Sequence, residues 1–293
     1  MIVLSGATGN LGGRIARAIL KRGANVRALV RRNSDHDKIE ELRKRGAAIA
    51  EVDFNNVPEV TEACLGGSCV ISALSGLREV IVETQTLLLD AAVKAGVPRF
   101  IPSDFSIDFT KLPPGTNRNL DLRREFHERL DKAPIAATSI LNGMFTDLLT
   151  GQAPVILFKL KRVVYWENAD QPLDFTTMDD SAEFTAAAAL DSTTPRFLRI
   201  AGDQISARGL VEVASEVTGK KFRLLRAGGL RRLATMIKIT RAVFPQSRAV
   251  YPPWQGMQYM YNMFTGLPKL EPLDNGRYSG MRWTTVRDFL AAR

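Results

Sequence analysis

The fold is decided by the first twelve residues, which read Met1-Ile2-Val3-Leu4-Ser5-Gly6-Ala7-Thr8-Gly9-Asn10-Leu11-Gly12. A short apolar run comes first, and the three glycines of the stretch follow it directly. Beyond them, apolar residues recur at helical spacing at Leu11, Ile15, Ala18 and Ile19. This order predicts a strand, a tight turn and a helix.

The alternation of strand and helix continues through the first half of the chain. Apolar runs predict strands at residues 2–4, 26–30, 48–52, 69–72, 99–102 and 137–141. Helical periodicity predicts connecting helices at residues 11–19, 37–45, 79–94 and 120–132. Parallel strands need crossovers of this length, and right-handed crossovers dominate. The predicted fold class is therefore α/β, with a doubly wound parallel sheet.

The second half of the chain is less regular. It predicts a strand at residues 158–166, a helix at 180–190, a strand at 197–200 and a helix at 207–217. We therefore predict two domains, a sheet domain over residues 1–150 and a smaller C-terminal α/β region over residues 151–293. The helix and strand at residues 180–200 are expected to pack back on the first sheet.

The glycine loop is suited to binding a dinucleotide. Gly6 can form the sharp turn, Gly9 lets the backbone approach a pyrophosphate, and Gly12 permits close packing of the helix on the sheet. The helix N-terminus then presents unbonded N–H groups and a partial positive charge to an anion. A glycine triplet placed between the first strand and the first helix predicts a Rossmann domain.

The residues that follow the second strand bear on which nicotinamide cofactor is bound. An acidic residue there would hold the ribose 2′-hydroxyl of NAD, whereas a cation accommodates the 2′-phosphate of NADP. The sequence has Arg31 and Arg32 at this point, and the acidic candidates Asp35 and Asp37 come later, in the turn before the next helix. NADP(H) is therefore predicted in preference to NAD(H).

Several motifs resemble a known family, the NmrA-like and isoflavone-reductase-like group of atypical short-chain dehydrogenases. The resemblance covers most of the chain. Besides the glycine loop, it rests on Leu29-Val30-Arg31, Val70-Ile71-Ser72-Ala73-Leu74, Pro102-Ser103-Asp104-Phe105 and Asn142-Gly143-Met144-Phe145. It implies an NAD(P)-binding protein, with an NADPH-dependent oxidoreductase of a small cyclic or aromatic substrate as the expected function.

The resemblance also implies where cofactor contacts lie. Thr8, Asn10 and Leu11 would flank the phosphates, and Arg31 would meet the 2′-phosphate. Asp53 and Phe54 would lie by the adenine. Residues near the ribose and nicotinamide would be Ser72, Ala73, Leu74, Ser103 and Asn142.

The expected catalytic groups of such a reductase are absent or altered. No tyrosine is followed by lysine four positions later, the pair that typical short-chain dehydrogenases place on one helical face. Aligned with the isoflavone-reductase pattern, the helix after the fifth strand has Arg123 where that family has a lysine. An arginine stays protonated, so it can polarise an oxygen but is a poor proton donor.

Two other residues are candidates for the missing proton donor. Lys111 follows the fifth strand in a loop, and His127 shares a helical face with Arg123. The unperturbed pKa of histidine, near 6.5, suits proton transfer. Asp104 could orient either group, or could cap the turn. For both Lys111 and His127, an ordinary surface position is the alternative interpretation.

Loss of the proton donor leaves a second function open. The regulatory branch of the family binds the dinucleotide and acts through a protein partner. The expected partner is thus either a small-molecule substrate or a regulatory protein, and the sequence leaves monomer and homodimer open.

Composition narrows the class of protein. The chain has 293 residues, 45% hydrophobic and 24% charged, as in ordinary globular proteins. Cys64 and Cys69 lack metal-ligand and redox-motif spacing, so we expect two reduced, buried thiols and no metal site. No secretory signal or membrane-spanning segment is readable, and the protein is expected to be cytoplasmic.

The net charge of +9 comes from one part of the sequence. Between Val217 and Leu270 there are ten Lys and Arg residues and no Asp or Glu. Residues 229–244 predict a basic amphipathic helix. Such a segment could steer an anionic substrate, an acidic partner or a membrane surface. It contains no recognised nucleic-acid module, so nucleic-acid binding is not expected.

Overall fold

The computed structural model describes residues 1–151 and 153–293, which form two compact units. Unit 1 comprises residues 1–104, 122–140 and 181–198, and unit 2 comprises the ranges 105–121, 141–180 and 199–293. The units therefore interleave along the chain, and the predicted boundary near residue 150 lies within unit 2. The division into consecutive domains 1–150 and 151–293 stays a prediction.

Unit 1 contains a six-stranded sheet in the order β3-β2-β1-β4-β5-β6. All neighbouring strands are parallel, as predicted. The order runs outward from β1 in both directions, which is the doubly wound arrangement. The strands are β1 (Ile2–Ser5), β2 (Val26–Val30), β3 (Ala48–Glu51), β4 (Cys69–Ser72), β5 (Arg99–Ile101) and β6 (Ala136–Ala137).

Five helices follow or separate these strands. They are α1 (Asn10–Lys21), α2 (His36–Lys44), α3 (Val57–Cys64), α4 (Gln85–Lys94) and α5 (Arg118–Leu130). A π-helical turn, Glu79–Thr84, leads into α4. The sequence pattern did not predict α3, although Asn56 caps it and Pro58 lies in its first turn, where proline is tolerated.

The predicted sixth strand, residues 137–141, is in fact two short strands. Ala136–Ala137 belongs to the large sheet, whereas β7 (Ser139–Leu141) pairs with β12 (Phe197–Arg199). The Thr138 hydroxyl between them lies 2.7 Å from the Thr194 hydroxyl. A continuous apolar run cannot reveal a change of strand partner.

One side of the sheet packs on a continuous apolar cluster. Val3, Val70 and Phe100 from the strands contact residues of α3, α4 and α5, including Val60, Leu88 and Phe126. Cys64 and Cys69 are buried and free. Burial raises the pKa of Cys64 to about 11 and that of Cys69 to about 12, so both thiols stay protonated at neutral pH.

Unit 2 contains two small sheets. One has the order β14-β10-β9 and the other the order β13-β11-β8. Their strands are β8 (Met144–Phe145), β9 (Ile156–Leu157), β10 (Arg162–Trp166), β11 (Leu173–Thr176), β13 (Asp203–Ile205) and β14 (Arg223–Gly228). The predicted strand 158–166 begins only at Arg162, because a 3₁₀ turn and a left-handed Lys161 precede it.

The remaining helices largely match the predicted periodicity. They are α6 (Met178–Leu190), α7 (Ala207–Thr218), α8 (Leu230–Val243), α9 (Pro253–Phe264) and α10 (Val286–Ala291). No helix among the described residues is long and apolar enough to cross a membrane. Nor does that part of the chain gather three His, Cys, Asp or Glu residues that could hold a metal.

The C-terminal helix α10 is tied to two acidic side chains of unit 2. Asp180 accepts hydrogen bonds from the Thr284 N–H at 2.9 Å and from the Thr284 hydroxyl at 3.2 Å. Asp203 accepts one from the Val286 N–H at 2.9 Å. Burial raises the pKa of Asp180, and its hydrogen bonds with Thr284 and Thr177 offset this only in part.

Candidate functional site

The glycine loop turns sharply at Gly6, which has a φ of +82°. A Cβ on Gly6 would lie 2.5 Å from the Ala73 carbonyl oxygen, so the position accepts no side chain. The Gly9 N–H then donates to the Gly6 carbonyl at 3.0 Å and closes the turn. Glycine at position 6 is therefore required both by the backbone angle and by the neighbouring strand end.

Gly12 lies against the backbone of the glycine loop. A Cβ there would lie 2.1 Å from the Gly6 carbonyl oxygen. A close approach therefore occurs between the first turn of α1 and the loop that follows β1. Gly6 and Gly12 together fix where α1 begins.

The N-terminus of α1 is open to an anion. Gly9 is the N-cap residue, so no cap side chain is available, and the first turn has no acidic residue. Within the described chain, no side chain accepts a hydrogen bond from the N–H groups of Asn10, Leu11 or Gly12. These groups, with the helix dipole, can bind a phosphate.

The end of β2 presents two exposed arginines. Arg32 donates to Glu59 at 2.8 Å. For Arg31, no hydrogen bond or ion pair of its guanidinium occurs among the described residues. The acidic candidate Asp35 caps α2 by accepting from the N–H groups of Asp37 and Lys38. Arg31 is therefore the group best placed to meet an anion at this strand end.

Asp53 and Phe54, the two residues predicted to lie by the adenine, follow β3. Asp53 accepts a hydrogen bond from the Asn55 N–H at 2.9 Å and is exposed. The Phe54 side chain is buried and belongs to the apolar cluster of unit 1. Their proposed contact with adenine stays a prediction.

Hydrogen bonds join the end of β4 to the ends of β1 and β5. The Ala73 N–H donates to the Ser5 carbonyl at 2.9 Å, and the Ser103 hydroxyl donates to the Leu74 carbonyl at 2.5 Å. The Ser103 N–H donates to the buried Gln85 side chain at 2.9 Å. The residues 72–74 and 103, predicted as one group, therefore lie together at one edge of the sheet with Gly6.

Asp104, the residue after Ser103, belongs to a network of charged side chains in unit 1. The Asp104 carboxylate lies 2.7 Å from Nε2 of His127, and both residues are buried. Arg196 lies 3.2 Å from Nδ1 of the same imidazole. Nε2 is the ring atom that faces the carboxylate, so it is placed to donate its proton to Asp104.

The network extends beyond the imidazole. Arg196 also donates to the Ser139 hydroxyl at 2.6 Å and to Asp131 at 2.9 Å. Burial alone would raise the pKa of Asp104, but the charge and hydrogen bond of His127, with Ser139 and Arg123, lower it overall. Asp104 is therefore ionised at neutral pH.

The three predicted catalytic residues are divided between the two units. Arg123 and His127 lie one turn apart on α5 and are buried in unit 1. Lys111 belongs to unit 2, where its ammonium donates to the Lys269 carbonyl at 2.7 Å. The interactions of His127 and Lys111 are those of structural groups, and no comparison tests their catalytic roles.

Asn142 also belongs to unit 2 and is fully buried. Its N–H donates to the Ser106 carbonyl at 2.9 Å, and its carbonyl accepts from Thr176. Its side-chain amide has no hydrogen-bond partner among the described residues. A buried unpartnered amide usually marks a bound group or water, so Asn142 stays a candidate binding residue.

Sequence reasoning missed Gln85, Ser139 and Arg196, which hold the turn after β5. A signal existed only for Gln85, a polar residue in an apolar helix. Ser139 and Arg196 are distant in sequence from Asp104, and no local pattern indicates that they meet.

The fold and the glycine loop define a dinucleotide-binding class of protein, and comparison with known proteins gives the family. The chain belongs to the NmrA-like family, whose model matches residues 1–282.

The relatives are plant reductases. Pinoresinol reductase 1 of Arabidopsis thaliana is 28% identical over 239 residues, 75% of each chain. Bifunctional pinoresinol-lariciresinol reductase 2 of Thuja plicata is 26% identical and covers 99% of this chain and 97% of its own.

A similar solved structure is AtPrR2 with NADP⁺ and (+)pinoresinol, with a TM-score of 0.84 and 21% identity. It covers 99% of this chain and 97% of that one. At this identity, the likeness shows the shared fold.

Proposed function

We propose that this protein is an NADPH-dependent reductase of a small cyclic or aromatic substrate. The observation that supports this proposal best lies at the edge of the unit 1 sheet. The N-terminus of α1 has no capping side chain there, and it follows a glycine loop in which Gly6 tolerates no side chain. The names of the relatives, pinoresinol and pinoresinol-lariciresinol reductases, support the substrate class.

The residues of unit 1 fit a bound dinucleotide. The N–H groups of Asn10, Leu11 and Gly12 would hold the pyrophosphate, and Arg31 would pair with a 2′-phosphate. Arg31 has no competing protein partner among the described residues, which favours NADP(H) over NAD(H). When bound, NADPH supplies the hydride.

Ser103, held by Leu74 and Gln85, would shape the wall at the ends of β4 and β5.

The surroundings of His127 bear on the source of the proton in this reaction. Both ring nitrogens of His127 lie within hydrogen-bond distance of charged groups, Asp104 and Arg196. The favoured role for His127 is therefore to hold the turn that carries Ser103. Arg123 would stabilise negative charge rather than give up a proton. A donor from substrate-bound water is compatible with these residues.

The activity is tested by anaerobic mixing of the protein and NADPH with a panel of enones, quinones and aryl carbonyls. Oxidation of NADPH, followed by the loss of absorbance near 340 nm, is expected with at least one of them. Tight NADPH binding without oxidation by any compound would overturn the reductase and favour the dinucleotide-sensing regulatory protein.

Cofactor preference is tested separately with Arg31→Ala. This variant is expected to raise the Kd for NADPH about tenfold and to leave the Kd for NADH unchanged, because one charge-assisted bond to the 2′-phosphate is lost. Arg32→Ala is the matched control, since that arginine already pairs with Glu59. Equal losses for both cofactors would contradict the assignment. A cytoplasmic location remains a prediction, and the sequence leaves monomer and homodimer open.

A further inference from the structure

The basic segment, residues 217–270, is unusual in having ten cations and no acidic residue. It includes β14, α8 and α9, all in unit 2. Among the described residues, no ion pair joins Arg231, Arg232, Lys238 or Arg248 to a carboxylate. These four exposed charges therefore face solvent without compensation.

The outward face of α8 changes character along its length. Arg231, Arg232 and Lys238 occupy the first part of this face. Large apolar side chains occupy its end and the adjoining loop, where Ile239 is 58% exposed, Val243 61%, Phe244 56% and Tyr251 63%. Exposed apolar residues scattered singly are common, but four together beside uncompensated cations are not.

This apolar end is held firmly in place. The Trp254 indole donates to the Pro245 carbonyl at 2.8 Å. Arg118 donates to the carbonyls of Ala249 at 3.0 Å and Val250 at 2.7 Å, and its guanidinium lies 4.7 Å from the Trp254 ring centre. The loop thus presents Phe244 and Tyr251 from an anchored backbone.

We propose that this face of α8, with the loop to Tyr251, binds the surface of a membrane that contains anionic lipids. The cations would lie among the headgroups, and Ile239, Val243 and Phe244 would enter the boundary with the acyl chains. Residues 241–248 are all exposed, so this segment is accessible to such a surface.

Other occupants fit less well. A second copy of this chain on a twofold axis would bring the same uncompensated cations together. An acidic protein segment would satisfy the charges but would leave the exposed apolar side chains of Ile239, Val243 and Phe244 without apolar partners. The four uncompensated cations, Arg231, Arg232, Lys238 and Arg248, suit an anionic surface.

The test is sedimentation of the full chain with vesicles of phosphatidylcholine, alone or with phosphatidylglycerol replacing part of it. Binding to the anionic vesicles is expected to be at least about tenfold tighter and to weaken in high salt. Arg231→Glu with Lys238→Glu, and separately Val243→Asp with Phe244→Asp, should each weaken it about tenfold.

Matched controls make the same changes elsewhere. Lys44→Glu with Lys94→Glu tests net charge alone, and Leu65→Asp with Leu190→Asp tests loss of exposed apolar residues; both should bind as the wild type does. Equal binding to both vesicles, or none, would overturn the proposal. Binding to polyglutamate without binding to vesicles would also overturn it, in favour of an acidic protein. If the Val243 and Phe244 variant does not fold, the charge variant decides.

Discussion

The starts of α1 and α8 are alike in backbone and sequence but differ in what faces them. Each helix follows a strand and begins after a glycine N-cap, Gly9 with φ −80° and ψ 167°, and Gly229 with φ −91° and ψ 173°. Neither first turn has an acidic residue. In α8, however, the Leu230 N–H donates to Glu167 at 3.0 Å, whereas the first turn of α1 receives no side chain of the described residues.

This difference shows what allows the N-terminus of a helix to bind an anion. Glycine and an uncapped first turn supply the N–H groups at both helices, but in α8 a carboxylate from 63 positions earlier already uses one. The capacity of α1 to bind an anion therefore depends on what the rest of unit 1 leaves unoccupied. Four substitutions test this comparison.

The largest effect is expected at the buried pair formed by Asp104 and His127. Asp104→Asn should lower the free energy of unfolding by about 3 kcal/mol at pH 7, because it leaves buried cations without their carboxylate. The lowered pKa of Asp104 means that its stabilisation is present above about pH 4 and is lost as the pH falls below that value. Urea unfolding at neutral and acid pH measures both effects.

The sign of this pH dependence makes the prediction specific. The difference between wild type and Asp104→Asn should shrink as the pH falls, since the wild-type carboxylate then takes up a proton. A difference that stays constant down to about pH 3 would show that the charge of Asp104 contributes nothing to stability.

Gly12→Ala should be the next most damaging change. Its Cβ would lie 2.1 Å from the Gly6 carbonyl, a backbone atom that cannot easily move, so a loss of about 2 kcal/mol in unfolding free energy and weaker NADPH binding are expected. The counterpart at α8 is Gly229→Ala, whose Cβ would meet the mobile end of Glu167 at 2.8 Å. Equal losses in the two variants would break the comparison.

Asn10→Asp should separate stability from affinity. A carboxylate in the first turn of α1 favours the helix dipole, so unfolding should cost slightly more free energy. The same charge opposes a phosphate, and the Kd for NADPH should rise about fivefold. Asn56→Asp makes this change at the N-cap of α3 and should leave the Kd unchanged. Fluorescence titration with NADPH checks both; unaltered affinity in Asn10→Asp would place the anion elsewhere.

The smallest effect is expected at α8 itself. Glu167→Gln removes the charge facing the helix start and should cost up to about 1 kcal/mol, less in high salt. Glu128→Gln, an exposed change on α5, serves as the reference in the same urea titration. If the two variants unfold alike at low salt, Glu167 does not act as a cap.

The sequence predicted the fold well wherever local pattern decides structure. The parallel α/β sheet is confirmed, and β2 and β4 have the predicted bounds, because buried parallel strands appear as short apolar runs. The pattern failed at Thr138, where the chain exchanges one strand partner for another. It also failed at Phe158, where a 3₁₀ turn replaces the beginning of the predicted strand.

The site was predictable only in its local part. The predicted roles of Gly6 and Arg31 rest on their neighbours in sequence. His127 was singled out for its pKa range, but its surroundings depend on Asp104 and Arg196, which lie 23 and 69 positions away. Likewise, nothing near Lys111 in sequence indicates that its ammonium contacts the Lys269 carbonyl.

The hydrogen bonds from Thr284 and Val286 to Asp180 and Asp203 have a practical consequence. The family match ends at residue 282, so residues 284–293 look dispensable in an alignment. Deleting them would remove the N–H donors of both carboxylates and leave Asp180 buried without them. Removing residues 284–293 would therefore act as an interior mutation.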